Sequence, residues 1–171
     1  FRPLGKSNVE FARDAFEKIE ASKLCYVLAL DITGFFDNLD HSILKKSWGE
    51  LLEVDKLPND HWAIFKSLTQ YASVDQVALY NVLGISLNNK KSAGSKLCST
   101  QDFRDKVRKA KLIKINKSKK GIPQGSPISA LLSNIYMTSF DVIIKNYTDN
   151  CGGHYLRYCD DILLIVPPEK K

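Results

Sequence analysis

The chain reads as an α+β domain, a small antiparallel sheet with helices packed over one face. Three observations lead there. A short apolar run, Cys25 to Leu30, separates two stretches of helical periodicity. Two more apolar runs, His154 to Tyr158 and Ile162 to Val166, flank Cys159-Asp160-Asp161 as the arms of a hairpin. The order helix, strand, helices, helix, hairpin then supplies three strands and the helices to cover them.

Each element has a local reason. Ser7 followed by Glu10 forms a capping-box start, after which Phe11, Ala15, Phe16 and Ile19 fall on one helical face. Cys25 to Leu30, with Tyr26 and Val27, has the continuous apolar character of a strand buried on both faces, and Asp31 stands at its end. A helix from near Asp40 places Ile43, Leu44, Trp48, Leu51 and Leu52 inward, and Asp60 to Tyr71 forms another after Pro58. Periodicity fades from Ser86 to Lys120, apart from a short helix at Asp102 to Ala110. Ser126-Pro127 opens a further helix, a side-chain cap followed by Pro at the first position, with Leu131, Leu132, Ile135, Phe140 and Ile143 towards a core. Gly152-Gly153 breaks the chain before the hairpin, and Pro167-Pro168 ends it.

Composition narrows the function classes. A chain of 171 residues, 44% of them hydrophobic, can bury one good core and is not disordered throughout. Cys25, Cys98, Cys151 and Cys159 include no C-x-x-C pair and no histidine at metal spacing, so they read as reduced thiols of a cytoplasmic protein. No continuous apolar run approaches the ~20 residues of a membrane helix. Phe1-Arg2-Pro3 does not resemble a natural start, and the chain stops soon after a strand, as an excerpt of a longer protein would. Charge is uneven. Residues 85–120 hold twelve Lys or Arg against two Asp, a net +10, so the remainder of a chain of net charge +6 carries −4. Such a segment fits a polyanion partner or a solvated insertion; charge alone leaves both open.

Three aspartates carry the chemistry. Asp160 and Asp161 share a turn, which Asp favours without any function. Against that, the apolar arms on either side would crowd two like charges near low dielectric, and carboxylates are held so where a divalent cation neutralises them. Phosphoryl transfer needs this arrangement. One cation lowers the pKa of an attacking hydroxyl and another stabilises the leaving pyrophosphate, the two about 3.5–4 Å apart. Asp31, from a different strand, would help bracket both ions, and hard oxygen ligands select magnesium.

Taken together, three segments resemble the reverse transcriptase family. Leu30-Asp31-Ile32-Thr33-Gly34-Phe35-Phe36-Asp37-Asn38 is similar to its first palm motif. Gly121-Ile122-Pro123-Gln124-Gly125-Ser126-Pro127 with Leu132-Ser133-Asn134 is similar to its second, and Tyr158-Cys159-Asp160-Asp161 to its Tyr-x-Asp-Asp box. Phe1-Arg2-Pro3 with Lys6-Ser7 resembles the stretch before the first motif in group II intron and related bacterial enzymes. The resemblance implies a right-hand polymerase palm with part of the fingers over residues 1–171, the basic segment 85–120 being an insertion of unplaced role. The remaining fingers strands would precede Phe1 and the thumb would follow Lys171, so the fragment alone would be inactive.

The same resemblance implies roles. Asp31, Asp160 and Asp161, with the Ile32 carbonyl, would bind two Mg2+ ions. Backbone at Thr33, Gly34 and Phe35 would cradle the triphosphate, and Phe36 would be a steric gate against the ribose 2′-hydroxyl; plain core packing is the alternative for Phe36. Gln124 and Gly125 would contact the nucleotide, and Tyr158 and Cys159 would lie near the primer end or the new base pair. The implied partners are an RNA template (a dedicated non-coding RNA among the options), the DNA product strand and dNTPs, with no membrane. The wording of the second motif is closer to retron and phage-defence enzymes than to an intron maturase. Group II intron-type mobility, an RNA-dependent RNA polymerase and a non-catalytic RNA-binding palm stand as alternatives. The bulk of Phe36 opposes the second of these, and the intact carboxylates oppose the third.

Overall fold

The computed structural model describes residues 8–88 and 96–168. The Phe1-Arg2-Pro3 and Lys6-Ser7 stretch, the capping Ser7, and Lys90 and Lys91 of the basic segment lie outside the described residues. The architecture is α+β. Helix α1 (Asn8–Ser22) leads into strand β1 (Tyr26–Asp31), followed by a single turn α2 (Phe35–Asn38), α3 (His41–Leu51) and α4 (Asn59–Thr69). Strand β2 (Ala72–Ser73), α5 (Gln76–Leu83), α6 (Thr100–Asp102), a π-helical stretch Phe103–Arg108 and β3 (Lys114–Ile115) come next. The chain closes with α7 (Pro127–Asn150), β4 (His154–Tyr158) and β5 (Asp161–Val166).

The main sheet has the order β1-β5-β4, antiparallel throughout. Helix α7 packs on β4 and β5 with one side and on α3 with another. The largest core cluster fills the space between α2, α3, α4 and α7. It joins Phe35, Leu39, Leu44, Trp48, Leu57, Phe65, Leu68, Ile122, Leu132, Ile135 and Met137. Asp40 starts α3 as expected, its carboxylate accepting from the Ser42 and Ile43 N–H groups. At the far end of the hairpin, Gly153 is needed because a Cβ there would stand 2.5 Å from the Ile165 carbonyl oxygen.

Several expectations are corrected. Strand β1 is exposed along its whole length rather than buried on both faces, because it forms the sheet edge while α7 covers β4 and β5. Leu131, Phe140 and Ile143 of α7 point away from the core, as do Ile43 and Leu51 of α3 and Phe16 of α1. One stripe of a 3.6-residue helix meets each neighbour, so residues beyond that stripe stay wet even where they are apolar. Ser126 is the N-cap of α7 by position, but its side chain makes no cap bond. By length and composition alone α7 could cross a bilayer. In the fold it is a packed helix, with Leu132, Ile135 and Met137 in the core.

Residues 96–120 of the basic segment hold more regular structure than periodicity implied. Its helix runs Thr100–Arg108, capped by the Ser99 hydroxyl accepting from the Asp102 N–H, with Val107 fully buried. Strand β3 pairs with β2, so the segment returns to the domain as a short ribbon. Asn116 ties it down, donating from Nδ2 to the carbonyls of Thr69 at 3.1 Å and Lys120 at 3.0 Å.

Candidate active site

Sheet register builds the centre of the site. In the β1–β5 ladder Asp31 is the direct partner of Asp161, and in the β4–β5 ladder Asp161 is the direct partner of Tyr158. Directly opposed residues project from the same face with Cβ atoms about 4.5–5.5 Å apart. Tyr158, Asp161 and Asp31 therefore form one row across the sheet. Asp161 begins β5 instead of sitting in the turn, so the hairpin loop is only Cys159-Asp160. Asp31 and Asp161 are exposed, and Asp160 is half-buried. The Phe11 ring of α1 lies 6.0 Å from that of Tyr158.

The two-residue loop has an unusual residue. Cys159 adopts φ 58°, in the left-handed region, where a loop of this kind normally carries glycine. The Cβ clash in that region costs a non-glycine residue roughly 1–2 kcal/mol. Burial pushes the Cys159 thiol up, and its Sγ lies 3.8 Å from the Ser133 hydroxyl on α7.

The segment after Asp31 turns sharply. The Ile32 carbonyl accepts from the Phe35 N–H at 3.1 Å, which leaves that oxygen one lone pair. Gly34 takes φ 61°, and α2 starts there. The N–H groups of Thr33 and Gly34 have no hydrogen-bond partner among the described residues, so both can serve an outside acceptor. Phe35 is a core residue; Phe36 is half-buried, packed against the core edge with its ring 5.5 Å from that of Phe35.

The Gly121 segment is bound to this turn through the backbone. Gly121 N–H donates to Leu39 O and Ile122 N–H to Phe36 O, both at 2.9 Å, and His41 Nε2 donates to Gly121 O at 2.7 Å. Gly121 itself sits at φ 86°, and a Cβ there would lie 2.9 Å from the Asp37 carbonyl oxygen. Gln124 is exposed. Gly125 sits at φ 91° with open space where a Cβ would be, so its conformation, not crowding by the protein, selects glycine.

Arg157 was not singled out by the sequence reasoning. Its Nε and Nη2 grip both carboxylate oxygens of Asp141 at 2.7 and 2.6 Å, and Nη1 donates to Asn134 Oδ1 at 3.1 Å and to the Cys159 carbonyl at 2.8 Å. Burial disfavours its charge, but the bonds to Asp141 outweigh that and hold the guanidinium above its ordinary value. The Tyr155 hydroxyl also donates to Asp141, at 2.6 Å, and burial together with that carboxylate pushes its pKa up. The signal was present: one arginine in an apolar strand and one aspartate in the apolar middle of α7.

The donor set suits a hard divalent cation: three carboxylates and a carbonyl, two of the carboxylates on one rung. Among the described residues, however, no three Asp, Glu, His or Cys side chains are gathered closely enough to hold a metal ion as they stand. Opposed carboxylates repel, and exposed ones relax towards water.

A family model described as reverse transcriptase (RNA-dependent DNA polymerase) matches residues 3–171. No curated protein matches the chain significantly.

Proposed function

From the fact that this chain belongs to the reverse transcriptase family, we infer that it is the palm, with part of the fingers, of an enzyme that extends a primer with dNTPs on an RNA template. The observation that carries this reading is the rung joining Asp31 to Asp161, with Asp160 next to it. Acidic groups 130 positions apart in the chain meet there, at the ends of two strands.

Asp31, Asp160 and Asp161, with the free lone pair of the Ile32 carbonyl, would hold two Mg2+ ions. When bound, these supply a lowered pKa for the attacking hydroxyl and charge neutralisation for the leaving pyrophosphate. The protein's own part is orientation. The open N–H groups of Thr33 and Gly34 are placed to receive phosphate oxygens, with the Phe35 backbone completing the turn. Phe36 lies beneath the sugar, where a ring excludes a 2′-hydroxyl. Gln124 contacts the nucleotide, the open side of Gly125 lets it come close, and Tyr158 and Cys159 face the primer end. The lysines of 85–120 contact RNA phosphates. Its setting is the bacterial cytoplasm, in anti-phage defence or a retron, with a dedicated non-coding RNA as template; group II intron-type mobility is the competing role.

The test is Mg2+-dependent primer extension on an RNA template by the full-length protein. Asp160→Asn and Asp161→Asn should each lower the rate by at least about 100-fold, more than loss of an outer-shell partner gives. Extension that is unaffected in both variants overturns the reading.

A further inference from the structure

We propose that Arg157 is the positioning residue of the Cys159-Asp160 turn: through the Cys159 carbonyl it holds the left-handed bend that carries Asp160 and leads into Asp161. The consequence for catalysis rests on the polymerase reading above; the mechanical role does not.

The turn has a reason to move. Cys159 occupies a conformation that glycine would take without strain, so the loop alone favours relaxation, and relaxation would swing the Asp160 carboxylate and loosen the rung that Asp161 begins. Arg157 opposes this from the rung next to the one that closes the turn. Its side chain is only 7% exposed, and four of its five N–H donors are in use. Three hold it to α7: two in a fork on Asp141 and one on Asn134, two helical turns away. The fourth reaches the Cys159 carbonyl. The guanidinium thus joins the turn to a 24-residue helix that does not depend on it for its own hydrogen bonds. That helix begins at Pro127, separated from Gln124-Gly125 by Ser126 alone, so one rigid element sets both the carboxylate turn and the nucleotide-side segment. Lysine cannot replace this arrangement. Its ammonium is a point charge, with neither the planar fork nor the reach to serve a carboxylate, an amide and a carbonyl together.

The experiment uses full-length protein with Arg157→Lys, Asp141→Asn, Cys159→Gly and the Arg157→Lys/Cys159→Gly double variant. Three quantities are read: amide hydrogen exchange at Cys159 to Ile162, Mn2+ binding followed by electron paramagnetic resonance, and kcat and KM for dNTP. Arg157→Lys should speed exchange at the turn and weaken Mn2+ binding and kcat by about 10–100-fold, the range for lost outer-shell partners. KM should stay within about twofold, since the turn and not the nucleotide pocket has loosened. Adding Cys159→Gly, which removes the strain, should recover much of the lost Mn2+ affinity. If Arg157→Lys fails to fold, Asp141→Asn, which keeps an acceptor but breaks the charged fork, should give the same pattern more weakly. Unchanged exchange and Mn2+ affinity in a folded Arg157→Lys, or purely multiplicative effects in the double variant, overturn the proposal. Wild-type protein without primer extension, but with the exchange result as described, overturns the polymerase reading alone.

Discussion

Asp31 and Asp161 face each other across the last rung of the β1–β5 ladder, both carboxylates exposed. Like charges directly opposed weaken an antiparallel pair, by about 0.3 kcal/mol when water screens them. Asp31→Asn should therefore raise the melting midpoint slightly in EDTA. Mg2+ should erase that advantage, because a cation held by the folded wild type stabilises it by mass action. Melting curves of both proteins with and without Mg2+ decide the matter; a destabilised Asp31→Asn in EDTA would refute repulsion at this rung.

Phe36 packs at the core edge and is also the proposed sugar gate, and its replacement should separate the two. The ring is half-buried against the core, so Phe36→Ala should cost about 2 kcal/mol in urea unfolding, below the loss for a fully buried ring. As a gate it should also raise ribonucleotide incorporation about tenfold or more, the equivalent of roughly 1.4 kcal/mol of lost discrimination. Destabilisation with unchanged sugar selectivity would leave packing as its only role.

Much of this arrangement was legible because turn chemistry and short-range pattern specify it. Asp40 caps α3, Ser126-Pro127 starts α7, and the hairpin arms pair across Cys159-Asp160. Tertiary choices were less legible. The apolar run of β1 gives no sign that it will be an edge strand, since strand order is settled by which strands α7 covers. Helix α5 went unread because Gln76–Leu83 is apolar nearly all round and shows no clear stripe. Strands β2 and β3 have two residues each, below the length at which alternation can be recognised. Arg157 and Asp141 were missed because charge pairing between a strand and a helix is a long-range contact with no fixed spacing.

The cap on α3 has a defined pH response. The Ser42 hydroxyl, then the Ile43 and Ser42 N–H groups, bond the Asp40 carboxylate and hold it below its ordinary 3.8. A folded value below the unfolded one means the stabilisation is complete above the unfolded pKa and is lost as the pH falls through the folded one. Asp40→Asn keeps a side-chain acceptor but cannot ionise. The stability gap between wild type and Asp40→Asn should be largest near pH 7 and shrink below about pH 3.8, the other carboxylates cancelling in the difference. A gap that widens in acid would contradict this assignment.

The basic segment separates its lysines by what they already touch. Lys106 and Lys109 are paired within the helix, to Asp102 at 2.8 Å and Asp105 at 3.2 Å. Lys117 and Lys119 are exposed and take part in no ion pair among the described residues. An RNA phosphate must displace an existing partner at the first two but only counterions at the second two. Each phosphate neutralised on a single strand contributes about 0.7 to the slope of log K against log salt. Lys117→Gln/Lys119→Gln should therefore reduce that slope by roughly 1.4 in an RNA-binding titration. Lys106→Gln/Lys109→Gln should change it less, because those variants also free two aspartates that repel RNA. Equal slopes for wild type and the Lys117→Gln/Lys119→Gln variant would show that this end of the segment does not touch RNA, and would leave its charge as a solvated surface.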